Sequence, residues 1–277
     1  MKNTMKKLIT IALAALMVVT VLSMTACSGP RSLDDIKKAG TLVVYTEAGF
    51  APYEFYYENK VVGVDVKIME EVAKELGVTL DVKDVAFDTI CASVKSGKAD
   101  IGAAGITIND TRKKSVDFSI PYSSTEQYVV VAKDNTTIKN VDDLKGKVIG
   151  VQQGTTSDSL VDSLIKDGTL AGSTLTPYNS PAIAAASIGK IDAVVTDKLT
   201  AETIVAANGD SFVTFKLTKA DGSDVAEVEE YGIAVAKGNS EILEVINKVV
   251  KKLLDDGSIE KWTQEYSDLY STLPSED

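Results

Sequence analysis

Arg112 lies five residues after Thr107 in "GITINDTRKK", directly beyond an apolar stretch of a chain that carries 29 Lys+Arg against 40 Asp+Glu. A guanidinium offers a planar fork of N–H donors that grips a carboxylate through two hydrogen bonds, and the Thr107 backbone and hydroxyl can assist it. Asp197, which closes "IDAVVTD", can accept from an ammonium group. Gly154, Thr155 and Thr156 follow Gln152 in "QQGTTS" and open a helical pattern, so free backbone N–H groups and the helix dipole can hold an anionic oxygen there. Each residue has a plainer reading: Arg112 paired with a surface acid, Asp197 and "GTTS" as helix caps. Taken together, a cation, an anion, hydroxyls and N–H donors complement the zwitterion of an α-amino acid.

The elements around these residues place them consistently. "TLVVYTE" (41–47) reads as a strand ending at Glu47 and followed by Phe50; "ADIGAAGI" is a short buried strand ending at Gly105; "KVIGVQ" and "IDAVVTD" are further strands. Between them, "DVKIMEEVAKELG" carries Ile68, Val72 and Leu76 on one helical stripe, with Asp65 expected as N-cap and Gly77 as stop. "FDTICASVKSG" is a second helix, with Cys91 a small core residue. This alternation predicts βαβ units around a parallel sheet, where ligands bind beyond the carboxyl ends of the strands. The echo between "SGKADIG" and "IGKIDAV" points to two similar lobes. The apolar C-terminal helix, with Ile242, Ile246, Val249, Val250 and Leu253, is expected to pack back on the first lobe. The lobes then comprise 41–121 plus 232–277, and 127–229, with a hinge near 122–126 and 229–231. Two adjacent crossings let a few dihedrals produce closure.

Composition narrows the functional classes. The 277 residues have a formal net charge of −11, which disfavours nucleic acid as a partner, and contain no histidine, which removes Ser-His-Asp and Cys-His catalysis. No metal or cofactor is expected. Residues 1–26 combine a positive "MKNTMKK" with a long apolar run, a signal peptide whose loss takes three lysines and leaves −14. "LSMTACSG" is similar to the lipobox of bacterial lipoproteins, which implies cleavage before Cys27 and a lipid on its thiol; residues 27–40 are read as a tether to the extracytoplasmic membrane surface.

From about Leu42 onward the chain resembles the family 3 extracellular solute-binding proteins, the polar amino acid receptors of ABC importers. The resemblance rests on "FAPYEF", "VGVDVKIMEEVAKELG", "KADIGAAGITINDTRKKSVDFSIPY", "DLKGKVIGVQQGTTS", "GKIDAVVTDK" and "YGIAVAKG". It implies a two-lobed periplasmic-binding-protein-like fold of type II, an α/β architecture of two mostly parallel sheets flanked by helices and joined by a two-segment hinge. It also implies a monomeric receptor, not an enzyme, that passes a free amino acid to permease subunits. Gly105, Thr107 and Arg112 are implied for the α-carboxylate, Asp197 for the α-amino group, the loop Gln152, Gly154, Thr155 and Thr156 from the second lobe, and Phe50 and Phe87 as a sandwich for the side chain. Gln152 stands where several relatives have lysine, and Glu47 where aspartate is common. Glu47 near the distal side chain favours a basic or neutral polar ligand over an acidic one. A dehydratase-like enzyme with Glu47 as general acid, or a sensing lipoprotein, are the alternatives.

Overall fold

A computed structural model describes residues 29–209 and 211–273; the signal segment and Cys27 lie outside the described residues. The chain builds two five-stranded sheets with the same plan. In the first, Thr41–Thr46 pairs in parallel with Thr79–Asp84 on one side and Ile101–Gly102 on the other. Ala234–Ala236 then inserts antiparallel between Ile101–Gly102 and Val116–Phe118. In the second, Val148–Gln152 pairs in parallel with Thr174–Tyr178 and Ala193–Asp197. Gln127–Ala132 inserts antiparallel between Ala193–Asp197 and Phe212–Lys216. The strands expected to run in parallel do so, the second sheet adds the unread parallel strand Thr174–Tyr178, and each sheet also takes in the strand that arrives directly after a crossing.

The crossings are Ser123–Thr125 and Glu229–Tyr231, which pair antiparallel with each other. Thr107 bridges Tyr231, and the Ile108 N–H donates to the Glu230 carbonyl, so the "GITI" stretch is stitched to the second crossing.

Both sheets are covered by helices on their faces, which explains why all five residues of Ala193–Asp197 are buried. The helix Val64–Leu76 packs Ile68, Met69 and Val72 against Ile242, Ile246, Val250 and Leu253 of Ser240–Asp255 in one core cluster, as the amphipathic stripes require. Each such fully buried aliphatic side chain contributes about 1.5–3 kcal/mol. The last helix, Ser258–Ser271, differs from an assignment to the first lobe alone. It also packs on Lys198–Ala207 of the second lobe. Among the described residues, no helix is long and apolar enough to cross a membrane.

Two local expectations are corrected, and one element was not foreseen. The stretch 27–40 is not simply a tether: Ser32 and Asp35 form a capping box, Leu33–Ala39 is helical, and Ile36 is fully buried in the first core. Arg31 adds an ion pair with Asp100. Asp65 is not an N-cap. Gly63 holds that position at φ 136°, where an added Cβ would meet the Tyr53 carbonyl oxygen at 2.1 Å, and Asp65 turns inward from the first turn of the helix. Beyond Glu47 the chain forms an unanticipated three-stranded meander, Gly49–Phe50, Glu54–Tyr57 and Lys60–Val62. Its last turn places Glu58 and Asn59 at φ 48° and 61°, a two-residue turn whose twist matches that of the strands. Gly77 does end its helix in the left-handed conformation.

Candidate functional site

The carboxyl ends of the parallel strands of both sheets meet at a cavity of about 10 Å³, the space of roughly one water. The first lobe contributes Phe50, Phe87, Ala104, Gly105, Thr107 and Arg112 to its wall. The second contributes Gln152, Thr155, Thr156 and Asp197. Nine of the eleven residues singled out from the sequence are in this wall; Glu47 and Gly154 stand one contact behind it.

Arg112 is positioned by its own short helix, Asp110–Lys113. The Asn109 side chain caps that helix by accepting from the Arg112 backbone N–H at 2.9 Å. The guanidinium donates through Nη1 to the Thr107 carbonyl at 2.9 Å and through Nη2 to the Gly154 carbonyl of the opposite lobe at 3.3 Å. It stacks over Phe87, with Cζ 5.2 Å from the ring centroid, so Phe87 supports the cation as well as lining the cavity. Burial pulls the Arg112 pKa below its ordinary value, while Cys91, Glu229 and Asp197 oppose that shift. A planar cation oriented in this way, partly buried and with further N–H donors left over, is prepared for a carboxylate.

Gly105 sits at φ 53°, and a Cβ there would meet Phe50 Cε1 at 2.6 Å. Its N–H donates to Asp65 Oδ2 at 2.9 Å, which also accepts from the Tyr122 hydroxyl at 2.8 Å. The inward turn of Asp65 therefore ties the loop at Gly105 to the first crossing. Across the cavity, Thr155 caps the helix Thr156–Lys166 and accepts from the Asp158 N–H at 3.2 Å. "GTTS" is thus a helix cap and a cavity wall at once.

Asp197 occupies the N-cap position of Lys198–Ala207 but makes no side-chain capping bond. Its Oδ1 accepts from Gln127 Nε2 at 2.8 Å and its Oδ2 from the Tyr231 hydroxyl at 2.5 Å. Burial, reinforced by the nearby Glu229 carboxylate, pushes its pKa up from 3.8 to about 7. Glu47 is not in the wall itself. It lies behind Gln152, whose Nε2 donates to Glu47 Oε2 at 2.6 Å and to the Asn179 carbonyl at 2.9 Å. Burial raises the Glu47 pKa from 4.5 to about 7, with Gln152 working against the shift. Cys91 is partly buried and lines a larger outer cavity of about 540 Å³ that shares Phe87, Arg112, Thr155 and Thr156 with the inner one.

Four contributors went unrecognised in the sequence: Asp65, Gln127, Glu229 and Tyr231. Gln127 and Tyr231 lie beside Asp197, and Glu229 joins Gln127 to Thr107 through Oε1 at 3.0 Å and Oε2 at 2.8 Å. The only local signal for Gln127 is a polar residue opening the apolar run "YVVVA".

Two α/β lobes with a cation and an anion facing one interlobe cavity define a solute-binding protein. The family model for bacterial extracellular solute-binding proteins, family 3, matches residues 42–268, and the chain belongs to that family. The L-cystine-binding protein TcyJ of Escherichia coli (strain K12) is 31% identical over 256 residues, covering 90% of this chain and 92% of that protein. An ancestral arginine-binding protein bound to arginine superposes with a TM-score of 0.73 at 42% identity, covering 82% of this chain and 98% of that one. The amino acid ABC transporter substrate-binding protein AbpA from Streptococcus pneumoniae, bound to L-arginine, gives 0.77 at 30% identity over 88% of this chain and 100% of that one.

Proposed function

We propose that this chain captures a free polar L-amino acid between lobes 41–121 plus 232–277 and 127–229. A basic ligand, arginine, lysine or histidine, is favoured, with glutamine next, and the closed form is presented to the permease of an ABC importer. The observation that carries the reading is the shared cavity wall of Arg112 and Asp197, one from each lobe. The α-carboxylate docks on Arg112 and the backbone N–H groups of Thr107 and Thr156, with Gly105 and Thr155 beside them in the cavity wall. The α-ammonium docks on Asp197, with Phe50 and Phe87 flanking the side chain. Glu47 behind Gln152 gives the distal end an anion, which a guanidinium or ammonium neutralises and an acidic side chain opposes. The arginine-bound relatives support the same choice.

Closure is stabilised by bonds that exist only when the lobes meet. Besides Gln152–Glu47 and Arg112–Gly154, Gln153 Nε2 donates to Asp88 Oδ2 at 2.8 Å and Thr203 Oγ1 to the Ala51 carbonyl at 3.1 Å. An amino acid needs more room than the cavity of about 10 Å³ offers, so entry requires the lobes to part about 122–126 and 229–231. The mature chain acts as a monomer held at the outer membrane face by a lipid on Cys27.

A thermal-shift screen against the twenty amino acids tests this. A ligand at 100 times its Kd adds about 2.7 kcal/mol, with arginine expected to give the largest shift; no shift with any amino acid would overturn the reading. Cys27→Ala should release the protein from membranes and abolish palmitate labelling.

A further inference from the structure

We infer that Glu229 positions the ammonium end of the site and sets its selectivity, by fixing the Thr107 hydroxyl as a hydrogen-bond acceptor and making that end accept donors only. The inference rests on the amino acid-binding reading and deepens it. Thr107, 6% exposed and in the cavity wall, lies with its Oγ1 2.8 Å from Glu229 Oε2. Thr107 Oγ1 donates to that oxygen, so its one hydroxyl hydrogen is spent on Glu229. The Thr107 lone pairs alone are then available to a ligand.

The same logic accounts for the remaining hydrogens. Gln127 Nε2 donates to Asp197 Oδ1 at 2.8 Å and to Glu229 Oε1 at 3.0 Å, using both amide hydrogens. Gln127 Oε1 accepts from Ser157 Oγ at 2.7 Å, which fixes the amide orientation; a flipped amide would set its oxygen against two carboxylates. The Tyr231 hydroxyl is committed to Asp197 Oδ2 at 2.5 Å. Thr107, Gln127 and Tyr231 therefore spend within the protein every side-chain hydrogen they bring to this corner. An ammonium with three N–H groups satisfies such a corner, whereas a hydroxyl brings one hydrogen and a carboxylate brings none.

Glu229 also reaches three elements at once. It sits on the second crossing, grips Thr107 of one lobe, and grips Gln127 at the start of the strand entering the other. Simple structural bracing would weaken every ligand to the same degree. Setting hydroxyl polarity instead changes the ratio between amine and hydroxyl ligands.

The test titrates the full chain by calorimetry with L-arginine and L-glutamine, each against its α-hydroxy analogue. Wild type should prefer the amine. Glu229→Gln, which puts an amide donor before Thr107 and Gln127, should reduce that preference about tenfold or more, and Glu229→Asp should keep part of it. A preference unchanged in Glu229→Gln while both affinities fall together would overturn the inference alone. A wild type that binds neither amino acid would overturn it together with the amino acid-binding reading. Should Glu229→Gln fail to fold, Thr107→Val provides the same reading: the amine preference should fall, and an unchanged preference would overturn the inference.

Discussion

Gln152 Nε2 and Glu47 Oε2 meet at 2.6 Å across the two lobes, joining the end of a second-lobe strand to a partly buried carboxyl group of the first. The amide neutralises nothing, so Glu47 keeps a demand for positive charge that a cationic ligand side chain can meet. Glu47→Gln should lower arginine affinity by about 10- to 100-fold, the worth of a charge-assisted bond, while glutamine affinity changes little. Equal losses for both ligands in calorimetry would place Glu47 outside ligand discrimination.

Proton release should accompany uptake of a basic ligand. Burial raises Glu47 and Asp197 from 4.5 and 3.8 to about 7, so the folded, ligand-free protein retains protons that the unfolded chain has lost. Stability contributed by these groups is full below about pH 4 and falls as pH rises toward about 7, then levels. The difference in melting temperature between wild type and Glu47→Gln should therefore shift in favour of the variant across that window. A cation binds the ionised forms, so arginine affinity should rise with pH up to about 7, by at most about tenfold per pH unit per proton released. Calorimetry in buffers of differing ionisation enthalpy counts those protons; none released would contradict the assignment.

Arg112→Ala should cost at least about two orders of magnitude in affinity, because the ligand carboxylate would be buried without its partner. Arg112→Lys should recover only part, since an ammonium cannot reproduce the planar fork or the stacking on Phe87. Near-normal binding by Arg112→Ala would remove the carboxylate role.

Gly154→Ala is aimed at closure. Gly154 lies at φ 77°, and a Cβ there would meet Asp88 Cβ of the other lobe at 2.6 Å. The clash exists only when the lobes touch, and the left-handed backbone adds about 1 kcal/mol of strain. Ligand affinity should fall at least about tenfold, and X-ray scattering should show a smaller ligand-induced contraction than wild type; full contraction would count against the interlobe contact.

Glu54 is fully buried, and its carboxyl group has no partner besides the facing Asp65 carboxyl. Burial and the neighbouring Asp65 charge push its pKa well above 4.5. Glu54→Gln removes a group that must stay protonated to remain inside, so the variant should match wild type near pH 5 and exceed it in melting temperature near pH 8. A variant less stable than wild type at pH 8 would show that the carboxyl itself is required.

What the residues determined alone was substantial. Periodicity and strand-end chemistry identified the parallel strands other than Thr174–Tyr178, the stripes of Val64–Leu76 and Ser240–Asp255, and the placing of Arg112 and Asp197 in one cavity wall. Local signals also existed that were not read, above all the Ser32–Asp35 capping box behind the helix Leu33–Ala39. Tertiary structure decided the support beneath the site. Gln127 opens its strand far from Asp197 in sequence, and only the antiparallel insertion of Gln127–Ala132 sets the two residues in register. Glu229 reaches Thr107 only because the second crossing passes that loop. Asp65 looked like a cap until the close approach of Tyr53 at Gly63 turned it inward. The physical reason is common to all three: side-chain periodicity records which face of an element is buried, whereas partners separated by 40, 70 and 122 residues are chosen by strand direction and by where the chain crosses.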